Sequence, residues 1–499
     1  MDFISIKNNQ RIKFAEIPVL AYADFFNVVT NQLMEKPEAH CVSYFGIPAE
    51  NNVQLLCCIA DDASASINVL SSVVSKTDTL QSITAKYMSF HLFEREIHEN
   101  FGINFDGHPW LKPVRYPYNA ADKSQTMVNY PFYQIDSEEL HEVGVGPIHA
   151  GIIEPGHFRF ICNGEQILHL EIQLGYQHRG LETLMIEKKK LLQRATLAEN
   201  ITGDTTVGHS VAFANAWESL CGFTADKQLQ MERAFAIENE RIAIHTGDLS
   251  GICTDIAYQL GNSVFGRLRT PVINYFQRWA GNRFAKGLIR PGKTNFPFTN
   301  DLAAQWKEMI SAYKPHFVEM AEQTFDLPSV LSRIERTGIV SPAVAHQIGM
   351  VGMAARASNI VRDIRASHPF GHYANIDYKP VLEPVGDVYC RARIRYDEIL
   401  RSIDMMNDIL STMPYDHKPA TTLDKAEPNS FVVSLVEGWR GEICHCAITG
   451  PDGDLTHYKV KDPSFHNWLG LALAVRNNEI SDFPICNKSF DLSYSGHDL

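Results

Sequence analysis

The chain has 499 residues, 45% of them hydrophobic and 21% charged, the composition of a folded protein and not of a disordered or collagenous one. Lys plus Arg number 45 against 58 for Asp plus Glu, a net charge of −13, and no basic run is long enough to follow a phosphate backbone, so nucleic acid is not an expected partner. No stretch reaches the roughly 18 uncharged apolar residues of a membrane span, and the opening MDFISIKNNQRIK holds no apolar signal core. If this protein works at a membrane, other subunits hold it there. The 10 cysteines are scattered without a CxxC pair, which is poor material for a disulfide scaffold and fits a reducing cytoplasm.

At roughly 150 residues per domain the length predicts about three units, fewer if one is a large helical domain. Alternating apolar residues predict strands over Val53–Ile59 and Ser66–Val74, and an amphipathic helix over Ser82–Glu99, the pattern of a small α/β domain. Pro109, Pro113, Pro117 and Pro131 interrupt the stretch from His108 to Tyr133, which reads as a linker. Beyond Gly144 the Asn163-Gly164 turn joins two predicted strands, Phe158–Ile161 and Ile167–Leu174. Apolar residues at three and four spacing then predict packed helices over Glu182–Glu199, Ala225–Leu260, Asp301–Thr324 and Tyr389–Leu410. Phe431–Val436, Glu442–Thr449 and Thr456–Val460 return to strand, with Pro451-Asp452-Gly453 as a turn. The expected fold is α+β: a small α/β domain over residues 1–120, a linker over 121–143, and a larger unit over 144–499 with a central helical bundle and flanking β elements.

Several constellations could carry chemistry. Arg241, His245, Asp248 and Asp255 follow one another at spacings of four, three and seven, so they share one face of a predicted helix. That stripe is either a face satisfied by solvent and mutual salt bridges or a buried proton-handling network. In the loop Gly146-Pro147-Ile148-His149 with Glu154 and His157, two imidazoles and a carboxylate could exchange protons near neutral pH, or could be surface and capping groups. Cys444-His445-Cys446 puts two thiols on one face of a strand without the four ligands of a structural zinc, so no metal is expected there. Neither a P-loop nor a GxGxxG between strand and helix is present, which disfavours ATP or dinucleotide binding by this chain.

The run Phe93-Glu94-Arg95-Glu96 with Phe101-Gly102-Ile103-Asn104-Phe105-Asp106-Gly107-His108-Pro109 resembles the signature of the C component of bacterial NADH-quinone oxidoreductase, complex I. The remainder resembles the D component of that complex and, equally, the large subunit of membrane-bound, energy-converting (group 4) nickel-iron hydrogenases, with the two domains fused as in formate hydrogenlyase. That resemblance rests on Gly146-Pro147-Ile148-His149 with Glu154-Pro155-Gly156-His157-Phe158-Arg159-Phe160, on His178-Arg179-Gly180-Leu181-Glu182, and on the helix from Glu240-Arg241 through His245 to Asp255. Arg356-Ala357-Ser358, Asp363-Ile364-Arg365, Pro369, Gly386-Asp387-Val388-Tyr389, Arg391 and Arg440-Gly441-Glu442 come next in the family's order.

The resemblance also exposes departures. Where the hydrogenases read roughly ERxCGxCxxxHS, this chain runs Glu199-Asn200-Ile201-Thr202-Gly203-Asp204-Thr205-Thr206-Val207-Gly208-His209-Ser210, with Thr202 and Thr205 at the thiolate positions. Where they read DPCxxC, it has Asp491-Leu492-Ser493-Tyr494-Ser495-Gly496, with Ser493 and Gly496 there. Cys221 and Cys486 lie outside these positions, and a nickel-iron centre, which prefers soft thiolates, is expected to be absent. The chain ends at Leu499, three residues past the last of them, so no cleaved extension is expected.

In complex I the same loss accompanies a quinone headgroup site, with a loop histidine bonded to an aspartate and a tyrosine as the other contact. Carried over, the aspartate is Asp255, the loop histidine is His157 or His149, and Tyr494 could supply the phenol. The expected catalytic groups are therefore His157, Asp255 and His149, in a pocket of Glu154, Thr202, Asp204, Thr205, His209, Arg440, Ser493 and Tyr494. Arg241, His245 and Asp248 are expected to couple the pocket to other subunits. The resemblance implies a redox-arm subunit passing electrons from a partner's iron-sulfur cluster to quinone or another acceptor, coupled to ion translocation. No metal or other cofactor is expected on this chain itself. The implied partners are an iron-sulfur small subunit like the B component of complex I, a ferredoxin-like iron-sulfur subunit and antiporter-like membrane subunits. The implied place is the cytoplasmic face of the cell membrane, with NAD entering, if at all, through another subunit. The alternatives are a non-catalytic scaffold or coupling subunit, or an active hydrogenase with an unusual ligand set.

Overall fold

The computed structural model describes residues 2–150, 153–416, 421–423 and 425–499. It opens with β1 (Ile4–Ile6), α1 (Tyr22–Glu35), β2 (Ala39–Ala49), β3 (Asn52–Asp61), β4 (Ser66–Ser75) and α2 (His91–Phe101). The strands form an antiparallel sheet in the order β1-β4-β3-β2, with Cys57 opposite Leu70 and Phe45 opposite Leu56. Successive side chains of β3 leave on opposite faces, and both faces are covered. Val53, Leu55, Cys57 and Ile59 join the core under α1 and α2, whereas Leu56, Cys58 and Ala60 join the core of the second unit. This double burial accounts for the nearly unbroken apolar run of β3, and each fully buried leucine contributes about 1.5–3 kcal/mol.

The helix expected over Ser82–Glu99 starts only at His91, after one 3-10 turn at Met88–Phe90. Its own Glu94 ties back the preceding segment, accepting bonds from the Ser82 hydroxyl (2.5 Å), the Ile83 N–H (2.7 Å) and the Thr84 hydroxyl (2.6 Å). Side-chain competition for backbone donors of this kind stops a helix from extending. The neighbouring residues of α2 hold the segment on its other side. Arg95 donates to the carbonyls of Lys112 (2.8 Å) and Pro113 (2.7 Å), and Glu99 accepts from the N–H groups of Arg115 (3.0 Å) and Tyr116 (2.7 Å). Residues 107–140 have neither helix nor strand, yet Val114, Arg115 and Tyr130 within them are buried.

The second unit begins with a three-stranded antiparallel sheet of β5 (His141–Val145), β6 (His157–Asn163) and β7 (Gln166–Gln173), in the order β7-β6-β5. Gly146, next to it, needs its positive φ of 100°, since a Cβ there would lie 2.1 Å from the Gly156 carbonyl oxygen. The expected helix Glu182–Glu199 is two helices, α3 (Leu181–Glu187) and α4 (Leu191–Ala198). They are separated at Lys188–Lys190, where backbone turns extended and Lys189 pairs with Asp454 at 2.7 Å. α5 (Thr206–Leu220), α6 (Lys227–Asp255), α7 (Gln259–Ala280), α8 (Asn300–Asp326) and α9 (Val388–Thr412) build the bundle. The expected helix Ala225–Leu260 therefore ends at Asp255; Ala257 takes a positive φ of 58° and α7 starts afresh. The Asp226 carboxylate caps α6 through the Leu229 N–H at 2.9 Å.

The last sheet comprises β8 (Ser430–Glu437), β9 (Glu442–Thr449) and β10 (Leu455–Lys461), in the order β10-β9-β8, with residues Ile12–Lys13 added beside β8. α10 (Ser464–Ala474), α11 (Phe483–Phe490) and α12 (Tyr494–Asp498) close the fold. The first and last sheets pack together: the Phe45 and His457 rings stack at 5.1 Å, and His40 bonds Glu442 at 2.7 Å. Among the described residues, no helix is long and apolar enough to cross a membrane.

Four basic side chains converge on Glu398 in the middle of the bundle. It accepts from Arg356 (2.6 Å), His245 (2.8 Å) and Arg365 (3.2 Å), and Arg241 lies 3.6 Å away. All five groups are at most 2% exposed. Removing one partner of such a buried set strands the others without solvent. Glu398→Ala is therefore expected to lower the free energy of unfolding by about 3–5 kcal/mol, read from the midpoint of chemical denaturation.

Candidate functional site

The four positions expected from the family pattern to carry thiolates do converge, at the junction of α5, α10 and α12. The Ser493 hydroxyl donates to Thr202 Oγ1 at 3.4 Å and accepts from the Gly496 N–H at 2.8 Å, capping α12. Thr202 donates to Asp462 Oδ2 at 3.3 Å. Thr205 accepts from Arg440 at 3.1 Å. A Cβ on Gly496 would meet Thr202 Oγ1 at 2.5 Å and the Asp462 carboxyl carbon at 2.7 Å, so the space a fourth side chain would need is filled. Three hydroxyls and a glycine are a hard, weak donor set that does not fit a nickel-iron centre. Cys486 stands elsewhere, against Gly338, and Cys221 beside Leu423.

The tail is fastened by the His178-Arg179 motif. Arg179 donates to the carbonyls of Ile201 (2.9 Å) and Ser495 (3.0 Å), and the Asp498 carboxylate accepts the N–H groups of Gly175 and Gln177, each at 2.8 Å. The exposed side of the site is formed by residues 146–150 and 153–157. Glu154 accepts the Ser495 N–H at 3.1 Å, and the His149 ring lies 6.2 Å from that of Tyr494. Tyr494 packs beneath Gly156, where a Cβ would touch its ring at 2.6 Å, and on Trp468 at 4.9 Å. Burial pushes the Tyr494 phenol above its usual value, so it stays protonated at neutral pH.

Arg440 forms the floor. It grips Asp204 with two bonds of 2.6 and 2.9 Å and donates to the Asp491 carbonyl at 2.5 Å. From there an ionic ladder leads into the bundle: Lys488 bonds Asp491 at 2.8 Å and lies 3.5 Å from Asp248, which accepts from Arg395 at 2.9 Å. Burial, with Asp491 nearby, lifts the Asp248 carboxyl to about 7. Burial likewise drives His245 down to about 4, against the pull of its bond to Glu398.

Arg241, His245 and Asp248 are thus buried, but they do not bridge to one another. Arg241 pairs with Glu238 of its own helix at 3.1 Å, and the other partners come from elsewhere: Arg241 donates to the carbonyls of Glu437 (3.0 Å) and Gly438 (3.1 Å), His245 meets Glu398, and Asp248 meets Arg395 and Lys488. Asp255, at the exposed end of α6, is separate from them; its carboxyl is raised by partial burial. His157 is on the other face of β6 from Phe158. Its ring packs on Phe132 at 5.2 Å and its Nδ1 meets the Gly146 carbonyl at 3.2 Å, while Phe158 points to Tyr494. The expected pairing of His157 with Asp255 has no contact among the described residues. Of the two loop histidines, His149 is the one on the tyrosine's side.

Around the expected His209 the geometry also assembles Asp462, His445 and Tyr458, which the sequence did not place at the site. His209 bonds Asp462 at 3.0 Å and His445 at 3.1 Å, and His445 bonds the Tyr458 hydroxyl at 2.7 Å. Although burial alone would raise it, the bond from His209 holds the Asp462 carboxyl down to about 2. A motif search could notice Asp462 only as the residue before Pro463. Cys444 and Cys446 do share a face of β9, with sulfurs 3.8 Å apart. Among the described residues, no three His, Cys, Asp or Glu side chains are placed to hold a metal.

Two family models match the chain: respiratory-chain NADH dehydrogenase, 49 Kd subunit, over residues 261–430, and respiratory-chain NADH dehydrogenase, 30 Kd subunit, over residues 23–131. Hydrogenase-4 component G of Escherichia coli is 27% identical over 390 residues, covering 78% of this chain and 67% of its own length. Formate hydrogenlyase subunit 5 of Escherichia coli is 27% identical over 362 residues, covering 72% of this chain and 63% of its own length. The C/D component of NADH-quinone oxidoreductase of Phocaeicola vulgatus is 25% identical over 396 residues, covering 73% of this chain and 76% of its own length. The chain therefore spans about two thirds of the length of the two hydrogenase-type relatives.

Two measurements check the site. Gly496→Ala is expected to cost about 1–3 kcal/mol through overpacking against Thr202 and Asp462, seen as a lower melting temperature, although alanine normally favours a helix. A carboxyl whose folded value is depressed stabilises the fold above its unfolded value and loses that contribution as pH falls. Wild type should therefore lose on the order of 2 kcal/mol relative to Asp462→Asn as pH is lowered from about 4 to about 2, measured as the difference between their acid-unfolding curves.

Proposed function

Because the chain belongs to the complex I and group 4 hydrogenase family, with the 30 Kd and 49 Kd domains of respiratory-chain NADH dehydrogenase fused in one polypeptide, we propose that it is the redox-arm subunit of a membrane-bound assembly whose former metal pocket now serves an organic acceptor such as a quinone. One observation carries this reading. The positions matched to thiolates converge but bear hydroxyls, and on their exposed side stand His149, Glu154 and Tyr494, which can donate or accept protons. Electrons come from an iron-sulfur cluster in a small partner subunit, and membrane subunits carry the ion-translocating step.

In this reading Tyr494 and His149 meet the acceptor. Glu154, which accepts the Ser495 N–H, exchanges protons with the outside through the loop. Asp204, Arg440, Asp491, Lys488 and Asp248 transmit the pocket's charge to α6, where Asp248 titrates near neutrality and responds to Asp491. His157 and Asp255 act, if at all, from outside the pocket. The close filling around Gly496 favours a second reading, a coupling scaffold that carries the ionic ladder without an acceptor.

The test is made on the purified intact complex, measuring nickel, iron and the oxidation of reduced clusters by a soluble quinone. Iron without nickel is expected, with quinone-dependent oxidation falling at least about tenfold in Tyr494→Phe and His149→Ala. His157→Ala and Asp255→Ala are expected to fall less. Stoichiometric nickel overturns the proposal, and the absence of any acceptor-dependent oxidation transfers the assignment to the scaffold.

A further inference from the structure

A cavity of about 420 Å3 lies between α2, the segment 107–140, β7 and α10, a volume within the roughly 300–1,000 Å3 of small-molecule sites. Its wall is mostly apolar and aromatic. Trp110 and Tyr130 come from the segment without helix or strand, Leu170 from β7, and Trp468 and Ala472 from α10. Glu171 of β7 fastens that segment beside the cavity, taking the Lys112 ammonium, the Tyr130 hydroxyl (3.1 Å) and the Tyr133 N–H (2.7 Å).

In a chain of net charge −13 the wall of this cavity is positive: among its described residues Arg95, Lys112 and Arg476 stand against Glu171, a balance of +2. Lys112 is neutralised by Glu171, and Arg476 is exposed, bonding His169 Nδ1 at 3.3 Å. Arg95 differs from both. It is 8% exposed, its Nε and Nη2 are spent on the carbonyls of Lys112 and Pro113, and its Nη1 makes no bond and the residue no ion pair among the described residues. A guanidinium is not deprotonated in proteins, so this is a buried cation compensated by carbonyl dipoles alone, and such a charge gains by taking an anion. One turn back on α2, His91 is 5% exposed, its ring lies 5.8 Å from that of Trp110, and its Nδ1 has no partner. Whichever ring nitrogen carries the hydrogen, that Nδ1 is an unmet donor or an unmet acceptor.

We propose that this cavity binds a small aromatic carboxylate, with its ring between Trp110, Tyr130 and Trp468 and its carboxylate on the Arg95 guanidinium. The aromatic walls keep water from that ion pair, which strengthens it over a surface pair. An uncharged aromatic molecule would fill the same space but leave Arg95 uncompensated, and an organic cation would meet the positive wall. The site is separate from the acceptor pocket and does not depend on it. The two share Trp468, which lines the cavity, packs on Tyr494 at 4.9 Å and donates its N–H to the Ser493 carbonyl at 3.3 Å.

Calorimetry on the purified intact complex compares 2-naphthoate with 2-naphthamide, which carries the same rings without the charge. Naphthoate is expected to bind at one site per chain, at least about tenfold more tightly than naphthamide, the discrimination that a charge-assisted bond provides. Arg95→Gln is expected to abolish that preference, and Arg476→Gln to reduce it less. Ala472→Phe, which fills the cavity and leaves the guanidinium and its two carbonyls in place, is expected to weaken both probes at least about tenfold. Equal affinity of wild type for the two probes, or no binding of either, overturns the proposal. So does naphthoate binding that survives Ala472→Phe, or that depends on Arg476 and not on Arg95. Hydrogen exchange on the wild-type complex needs no variant: naphthoate is expected to slow exchange at the amides of residues 110–133, and protection that leaves those amides unchanged overturns the site.

Discussion

The guanidinium of Arg440 joins three stretches of chain that are remote in sequence: the loop of Asp204 and Thr205, the turn after β8, and the backbone at Asp491 before α12. A buried cation must be matched by anions or carbonyl dipoles, and a planar fork does so with little loss of freedom per bond. Once Asp204 and Asp491 are held there, Thr202, Ser493 and Gly496 have little room to move. The Lys488 to Asp248 link then continues the same charge compensation into the bundle. The shape of the pocket and its connection to α6 are two consequences of one ion pair.

The positions that the family pattern gives to thiolates are Thr202, Thr205, Ser493 and Gly496 in this chain, and the structure shows what holds them. A metal-thiolate centre would hold its loops together by coordination. Here hydroxyl-to-hydroxyl and hydroxyl-to-carboxylate bonds, individually worth only about 0.5–1.5 kcal/mol, do that work with the help of close packing at Gly496. The space beside Gly496 is filled, and Tyr494 and His149 stand to one side of it and Asp462 to the other.

Much of the fold was legible in the residue order. β3, β4, β6, β7 and the last sheet were found where alternation placed them, and α8 and α9 where three-four spacing did. The helix breaks were not legible, because they come from contacts made across the fold: Glu94 gathering Ser82 and Thr84, and Lys189 reaching Asp454. The polar stripe of α6 was readable as a stripe, but not its partners, since Glu398, Arg395 and Lys488 arrive from segments more than a hundred residues away. His157 shows the limit most plainly. Its neighbours in sequence suggest a site residue, yet the period of two in β6 turns it toward Phe132 while Phe158 takes the inner face.

The sequence by itself determined the two-part α+β organisation, the resemblance to the family and the residue types at the positions matched to its thiolates, because periodicity, motif order and side-chain chemistry are local properties of the chain. Only the tertiary structure decided that the hydroxyls touch, that His149 and not His157 stands beside Tyr494, and that Asp462, His209, His445 and Tyr458 form one line. Those facts depend on which distant segments share a buried volume, and on the rule that every polar group enclosed there must find a partner.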